Sequence, residues 1–238
     1  MQRVILLPGM DGTGALFRRF LTASPPQYAP EVVSLPPELR TRAEVAEQIG
    51  AGLQLGPDCV MVAESYSGAV AARLAAKYEV AALILCNSFV APPRHRALRA
   101  LALPLLFRLP PSPAIIRYFF VGPTASDDLV EEVRNAIARV PARVLAARLA
   151  EVLTEDVGDW LARCSARVLY LRGTRDRLVP EASVQRIAAL TSAEVVRIAG
   201  PHLLLQTAPA EAWAAISEFT ARCGAAERQD EADSRPVA

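Results

Sequence analysis

The chain holds 238 residues, with 26 Lys and Arg against 25 Asp and Glu and a formal charge of +1. That balance leaves no footprint for nucleic acid or an anionic membrane, so the expected partner is a small molecule. Apolar residues make up 52% of the chain, yet no run nears the roughly 18 apolar residues of a spanning helix, and the length suits one soluble α/β domain with an insertion.

The N-terminal "MQRVILLPG" is too short in its apolar part for a secretory signal and has no small-residue cleavage site, so it reads as the first core strand of a cytoplasmic protein. Similar runs follow: "VVSLP" (Val32 to Pro36), "CVMVA" (Cys59 to Ala63), "ALILCNS" (Ala82 to Ser88), "VLYLRG" (Val168 to Gly173) and "EVVRIAG" (Glu194 to Gly200). Continuous apolar runs without clean alternation suit strands covered on both faces. Helical patterns separate them at Gly14 to Phe20, Ala43 to Leu53, Ser67 to Tyr78 and Glu181 to Leu190, and a last one spans Ala208 to Arg222. The expected fold class is α/β, with about six mostly parallel strands flanked by helices. Cys59, Cys86, Cys164 and Cys223 have no metal-type spacing and read as free thiols; no metal or cofactor is expected.

The alternation fails between Phe89 and Arg167. A proline-punctuated apolar stretch is followed there by two helical patterns. Ser126 is placed to N-cap the first, with Asp127 and Asp128 against the helix dipole and Leu129, Val133 and Ile137 on one face. Pro141 suits the first turn of the second, which is expected to bury Val144, Leu145, Leu149 and Val152. Residues 1–89 and 167–224 are therefore read as the core, 90–166 as a helical cap and 225–238 as a flexible polar tail.

Three strand ends carry the chemistry. In "VMVAESYSGAV" a buried strand meets a tight turn at Ser65 flanked by the small residues Ala63, Ser67 and Gly68. Small neighbours let such a turn lift a serine Oγ clear of the sheet, although an ordinary strand-helix turn has the same look. "VLYLRGTRDRLVP" sets Asp176 in the next relevant loop, where a carboxylate can orient an imidazole and stabilise its cation. "VVRIAGPHLLL" sets His202 after the last strand, as a base or as a structural loop residue. The other histidine, His95, lies between Arg94 and Arg96 and reads as a solvated surface residue.

In the order Ser65, Asp176, His202, each after a different strand, the chain resembles the α/β-hydrolases over about residues 2 to 222. It is similar in particular to hydrolases and acyltransferases with an "LPGMDGTG" first loop and an "ESYSG" elbow, among them small bacterial esterases and plant phytyl ester synthases. The resemblance implies Ser65 as nucleophile, His202 as base and Asp176 as its orienting acid. It further implies an oxyanion hole made by the backbone N–H groups of Met10 and Tyr66. Pro8 stands where many such loops carry histidine, and the usual first two strands are missing, which makes "VILLP" more central and "VVSLP" an edge.

Glu64 either supports the elbow or faces the pocket. Asp11 and Thr13 are candidate caps for the helix from Gly14. Leu106, Phe107, Phe119 and Phe120, with Leu105, either line an acyl pocket or pack the cap onto the core. The leading expectation is an esterase or lipase-type serine hydrolase for esters with an apolar acyl group. An acyltransferase or thioesterase with the same triad is the nearest alternative, ahead of C–C bond hydrolysis or a non-catalytic binder. The opening glycines read G-x-x-G-x-G, which is neither dinucleotide fingerprint nor P-loop. Oligomeric state has no signal.

Overall fold

A computed structural model describes residues 1–39, 41–92 and 103–233; His95 lies outside them. Among the described residues six strands form one parallel sheet: β1 (Gln2–Leu7), β2 (Tyr28–Val32), β3 (Cys59–Glu64), β4 (Ala82–Cys86), β5 (Arg167–Gly173) and β6 (Glu194–Ile198). Their order is β2-β1-β3-β4-β5-β6, so β1 is internal. The helices in chain order are α1 (Arg18–Thr22), α2 (Arg42–Gly52), α3 (Gly68–Ala75), α4 (Pro113–Ile116), α5 (Asp127–Ala138), α6 (Ala142–Thr154), α7 (Gly158–Ala162), α8 (Glu181–Thr191), α9 (Leu204–Thr207) and α10 (Pro209–Asp233).

Successive side chains of a strand point to opposite faces, and both faces are covered. Ile5, Leu7, Met61, Leu83 and Leu85 pack with Val45, Ile49, Val70, Leu161 and Ile187 from α2, α3, α7 and α8. Val4, Leu6, Val62, Ile84 and Leu171 pack with Phe20, Leu204, Trp213 and Ile216 from α1, α9 and α10. Each such side chain contributes about 1.5–3 kcal/mol by leaving water. Covering both faces explains the unbroken apolar runs of the sequence. No helix among the described residues is long and apolar enough to cross a membrane.

The second strand differs from expectation. It spans Tyr28–Val32, four residues earlier than "VVSLP", though it does form the sheet edge. Tyr28 anchors it: its ring stacks on Trp213 with centroids 5.1 Å apart, and its hydroxyl lies 2.7 Å from Thr220 Oγ1. Pro30 is tolerated because an edge strand can leave one side unpaired. The residues past Val32 instead cross the C-terminal end of the sheet, with Val33 N–H donating to Leu6 O and Leu35 N–H to Gly12 O. The expected Gly14 to Phe20 helix is a 3-10 turn (Ala15–Phe17) running into α1, and α10 continues past Arg222 to Asp233.

Between β4 and β5 the chain makes a helical insertion. Ser126 Oγ accepts from Leu129 N–H, with Asp127 and Asp128 in the first turn of α5, and Leu129 and Val133 are buried against Ile116, Leu16 and Leu203. In α6, Val144, Leu145 and Val152 are buried as the periodicity predicts, but Leu149 is half-buried and Arg148 takes an inward position. Val157 N–H donates to Val90 O across the base of the insertion, and Val157 and Leu161 pack in the main core. None of the four cysteines is in a disulfide; Cys59, Cys86 and Cys223 are buried and Cys164 is half-buried.

Candidate active site

β3 ends in a 3-10 turn, Ser65–Ser67, that runs into α3. Ser65 has a φ of 50°, a left-handed conformation that a non-glycine residue adopts at a cost of about 1–3 kcal/mol. The turn is tight because α3 closes on the chain just past β4: a Cβ on Gly68 would meet Ser88 Cβ at 2.4 Å. Glycine is therefore required one position later than the simple elbow motif places it. Ser67, at the motif's glycine position, donates its hydroxyl to Pro8 O and ties the elbow to the loop after β1.

The three candidate residues converge from separate strand ends. Ser65 Oγ lies 2.9 Å from His202 Nε2, and His202 Nδ1 lies 3.1 Å from Asp176 Oδ1. Asp176 Oδ1 also accepts from Leu178 N–H at 2.8 Å, while Oδ2 takes a charge-assisted bond from Arg172 Nη1 at 3.0 Å. Burial alone would push the Asp176 carboxyl up. The bond and charge of His202, the Leu178 amide and Arg172 outweigh it, so Asp176 sits below the usual carboxylate range and is anionic at neutral pH.

Asn87 holds the two loops together. With a φ of 42°, its Nδ2 donates to His202 O (2.8 Å) and Pro201 O (3.1 Å), and its Oδ1 accepts from Gly173 N–H (2.9 Å). The β5 loop approaches so closely that a Cβ on Gly173 would lie 2.5 Å from Pro201 O. Asn87 and Arg172 escape the sequence reading. The available signal was a polar residue closing the apolar run "ALILCNS", of a type that tolerates left-handed backbone.

Gly9 to Gly12 form a turn closed by Gly12 N–H donating to Gly9 O at 3.0 Å. There are no cis peptides among the described residues, so Met10 N–H points opposite to Gly9 O and outward from the turn. The loop lies against the elbow, a Cβ on Gly9 falling 3.9 Å from Ser65 Cβ. Tyr66 N–H, in the first turn of its helix, belongs to the groups without an intrahelical acceptor. Asp11 Oδ2 accepts from Thr13 N–H and Oγ1, and Thr13 Oγ1 accepts from Ala15 N–H, so the two residues cap as a relay.

Glu64 is buried behind Ser65, where its Oε2 accepts from Gln206 Nε2 at 3.1 Å. Burial pushes its carboxyl up, against the Gln206 bond and helped by Asp11, to about 8. Glu64 Oε1 and Gln206 Oε1 have no hydrogen-bond partner among the described residues. Among the expected pocket residues, Phe120 meets the His202 ring edge-on at 6.1 Å and Phe107 packs in the small cluster that includes Met10. Leu106 and Phe119 face solvent, and the Tyr66 side chain is buried in the core.

A family model described as the alpha/beta hydrolase family matches residues 4–216. Among solved structures, a bromoperoxidase from Bacillus anthracis superposes with a TM-score of 0.76 at 16% identity, over 92% of this chain and 91% of that one. A thermophilic esterase from Thermogutta terrifontis gives 0.71 at 21% identity over 94% and 90%, and an enol-lactonase from Burkholderia xenovorans 0.70 at 14% over 91% and 90%. At these identities the likeness is one of fold. The comparison with curated proteins returns no match.

Proposed function

Because this chain belongs to the alpha/beta hydrolase family, we propose that it is a serine hydrolase of the carboxylesterase or lipase type, working through Ser65, His202 and Asp176. The observation that carries this reading is the unbroken row from Ser65 Oγ through both His202 nitrogens to Asp176. With Asp176 anionic, Nδ1 keeps its proton for the carboxylate, and Nε2 turns its lone pair to the serine hydroxyl.

As Ser65 Oγ forms its bond to an ester carbonyl carbon, the hydroxyl proton passes to Nε2 and the carbonyl oxygen becomes anionic. Met10 N–H and Tyr66 N–H are its donors, each contributing roughly 3 kcal/mol to the barrier. Collapse breaks the bond to the leaving alkoxide, which takes the proton from His202. Water then attacks the acyl-enzyme with His202 again as base, releasing the acid and restoring Ser65.

The inserted helices serve as a cap in this reading, and Phe107 and Phe120 give its inner side an apolar character suited to an acyl chain. A series of p-nitrophenyl esters of increasing chain length, assayed with and without an added alcohol, tests this function. The expected result is turnover of acyl chains longer than butyrate with water as acceptor; no turnover of any ester would overturn it. Acyl transfer dominating over acid release would instead favour an acyltransferase.

A further inference from the structure

Arg148 is a guanidinium buried in α6 with 1% of its surface exposed. Among the described residues its acceptors are main-chain oxygens: Met10 O at 2.9 Å from Nη1, and Leu35 O and Pro36 O at 3.4 Å from Nη2. The neighbouring buried Arg42 differs, since it has Glu155 within 3.4 Å. A buried charge hydrogen-bonded only to carbonyls costs several kcal/mol of desolvation that a well-packed apolar side chain avoids, offset only in part by the Asp11 carboxylate and the Tyr66 ring nearby.

The group touches both residues to which the oxyanion donors are attributed. Its Nη1 holds the carbonyl of Met10, and its Cζ lies 5.8 Å from the ring centroid of Tyr66. The loop wraps around it. Gly12, at a φ of +70°, passes so close that a Cβ there would fall 2.3 Å from Nη1. In the turn Gly9 to Gly12, the Gly12–Gly9 bond orients the first peptide, the one that carries Met10 N–H. The central peptide, between Met10 and Asp11, is the one a β-turn can rotate most readily, and its carbonyl is the atom that Arg148 takes. Rotation of that peptide would turn a carbonyl lone pair in a new direction and loosen Met10.

Resting on the proposed serine hydrolase reading, we propose that Arg148 is a positioning residue of the oxyanion hole, through which the inserted helices hold the Met10 turn in its donating conformation. The hole is then complete only while α6 is seated, and leaves with it.

The test is steady-state ester turnover, with single-turnover acylation beside it, on Arg148→Met and Arg148→Lys, and with guanidinium ion added back to Arg148→Ala. The expected result is a roughly tenfold to hundredfold loss of kcat in Arg148→Met with KM changed by less than about threefold. Arg148→Lys, which keeps charge and most of the volume, should recover part of the rate, and millimolar guanidinium should restore part of it in Arg148→Ala. Unchanged kcat in a folded Arg148→Met variant, or a rate loss that tracks thermal stability without guanidinium rescue, would overturn the role. Stoichiometric covalent labelling of wild-type Ser65 by a fluorophosphonate separates the two claims: labelled wild type with an inert Arg148 sinks the positioning role alone, whereas unlabelled wild type sinks the underlying reading with it.

Discussion

Ser67 donates its hydroxyl to the carbonyl of Pro8, joining the turn that carries Ser65 to the loop that carries Met10. Both groups are buried, and the bond spans 59 residues of sequence. Ser67 stands where the simple elbow motif has glycine, so the departure supplies a tether that glycine lacks. Ser67→Gly, which restores the motif, should therefore lower stability by about 1 kcal/mol and slow ester turnover several-fold. Urea unfolding and initial rates check both; a faster or unchanged Ser67→Gly enzyme would show that the tether has no part in the site.

Asn87 braces the Asp176 and His202 loops through three side-chain bonds from a left-handed backbone position. Asn87→Ala removes all three and takes their side-chain partner from Pro201 O and Gly173 N–H, while His202 O keeps the Leu204 N–H. The expected cost is about 1–3 kcal/mol in stability with a larger than tenfold fall in kcat/KM. The informative outcome is the combination, measured on the fraction that remains folded. A fall in stability with undiminished activity would mean that the His202 loop holds its place without the brace.

Glu64 gives a pH signature. With its carboxyl at about 8 in the folded protein against an ordinary 4.5, the folded chain retains a proton between those values that the unfolded chain releases. Stability therefore falls as pH rises from about 4.5 to about 8, and this contribution is flat on either side. Glu64→Gln, neutral at every pH and able to keep a bond with Gln206, should lose that decline and gain on wild type by a few kcal/mol at pH 8. Denaturant unfolding across pH 5 to 8 measures it. Parallel curves for the two proteins would show that Glu64 is ionised throughout.

Met10→Ala should keep kcat within about threefold of wild type, because the donor attributed to Met10 is its main-chain N–H. Its side chain does pack beside Phe107, so KM is the parameter expected to move. A hundredfold loss of kcat with KM unchanged would speak against the donor assignment.

The legible parts of the sequence were those governed by local pattern. Unbroken apolar runs marked five strands in place, Ser126 with its acidic neighbours marked α5, and loop position after three strands marked Ser65, Asp176 and His202. β2 was placed four residues late because its anchor is not local: Tyr28 stacks on Trp213, far along the chain. Arg148 was missed for a similar reason. Helical periodicity put Leu149 on the buried face of α6, and an arginine beside it reads as solvated until the folded chain brings main-chain carbonyls of two distant loops around it. Asn87 and Arg172 likewise acquire their roles from partners that only the parallel sheet sets side by side.

The central claim is that Ser65 is an acyl nucleophile activated by His202. Reaction of the folded protein with a fluorophosphonate, followed by peptide mass mapping, measures this directly. The account predicts one adduct per chain on the peptide holding Ser65, at least a hundredfold slower labelling in His202→Gln, and neither adduct nor ester turnover in Ser65→Ala. A folded wild-type protein that stays unlabelled, or a Ser65→Ala variant that still turns over esters, would contradict it.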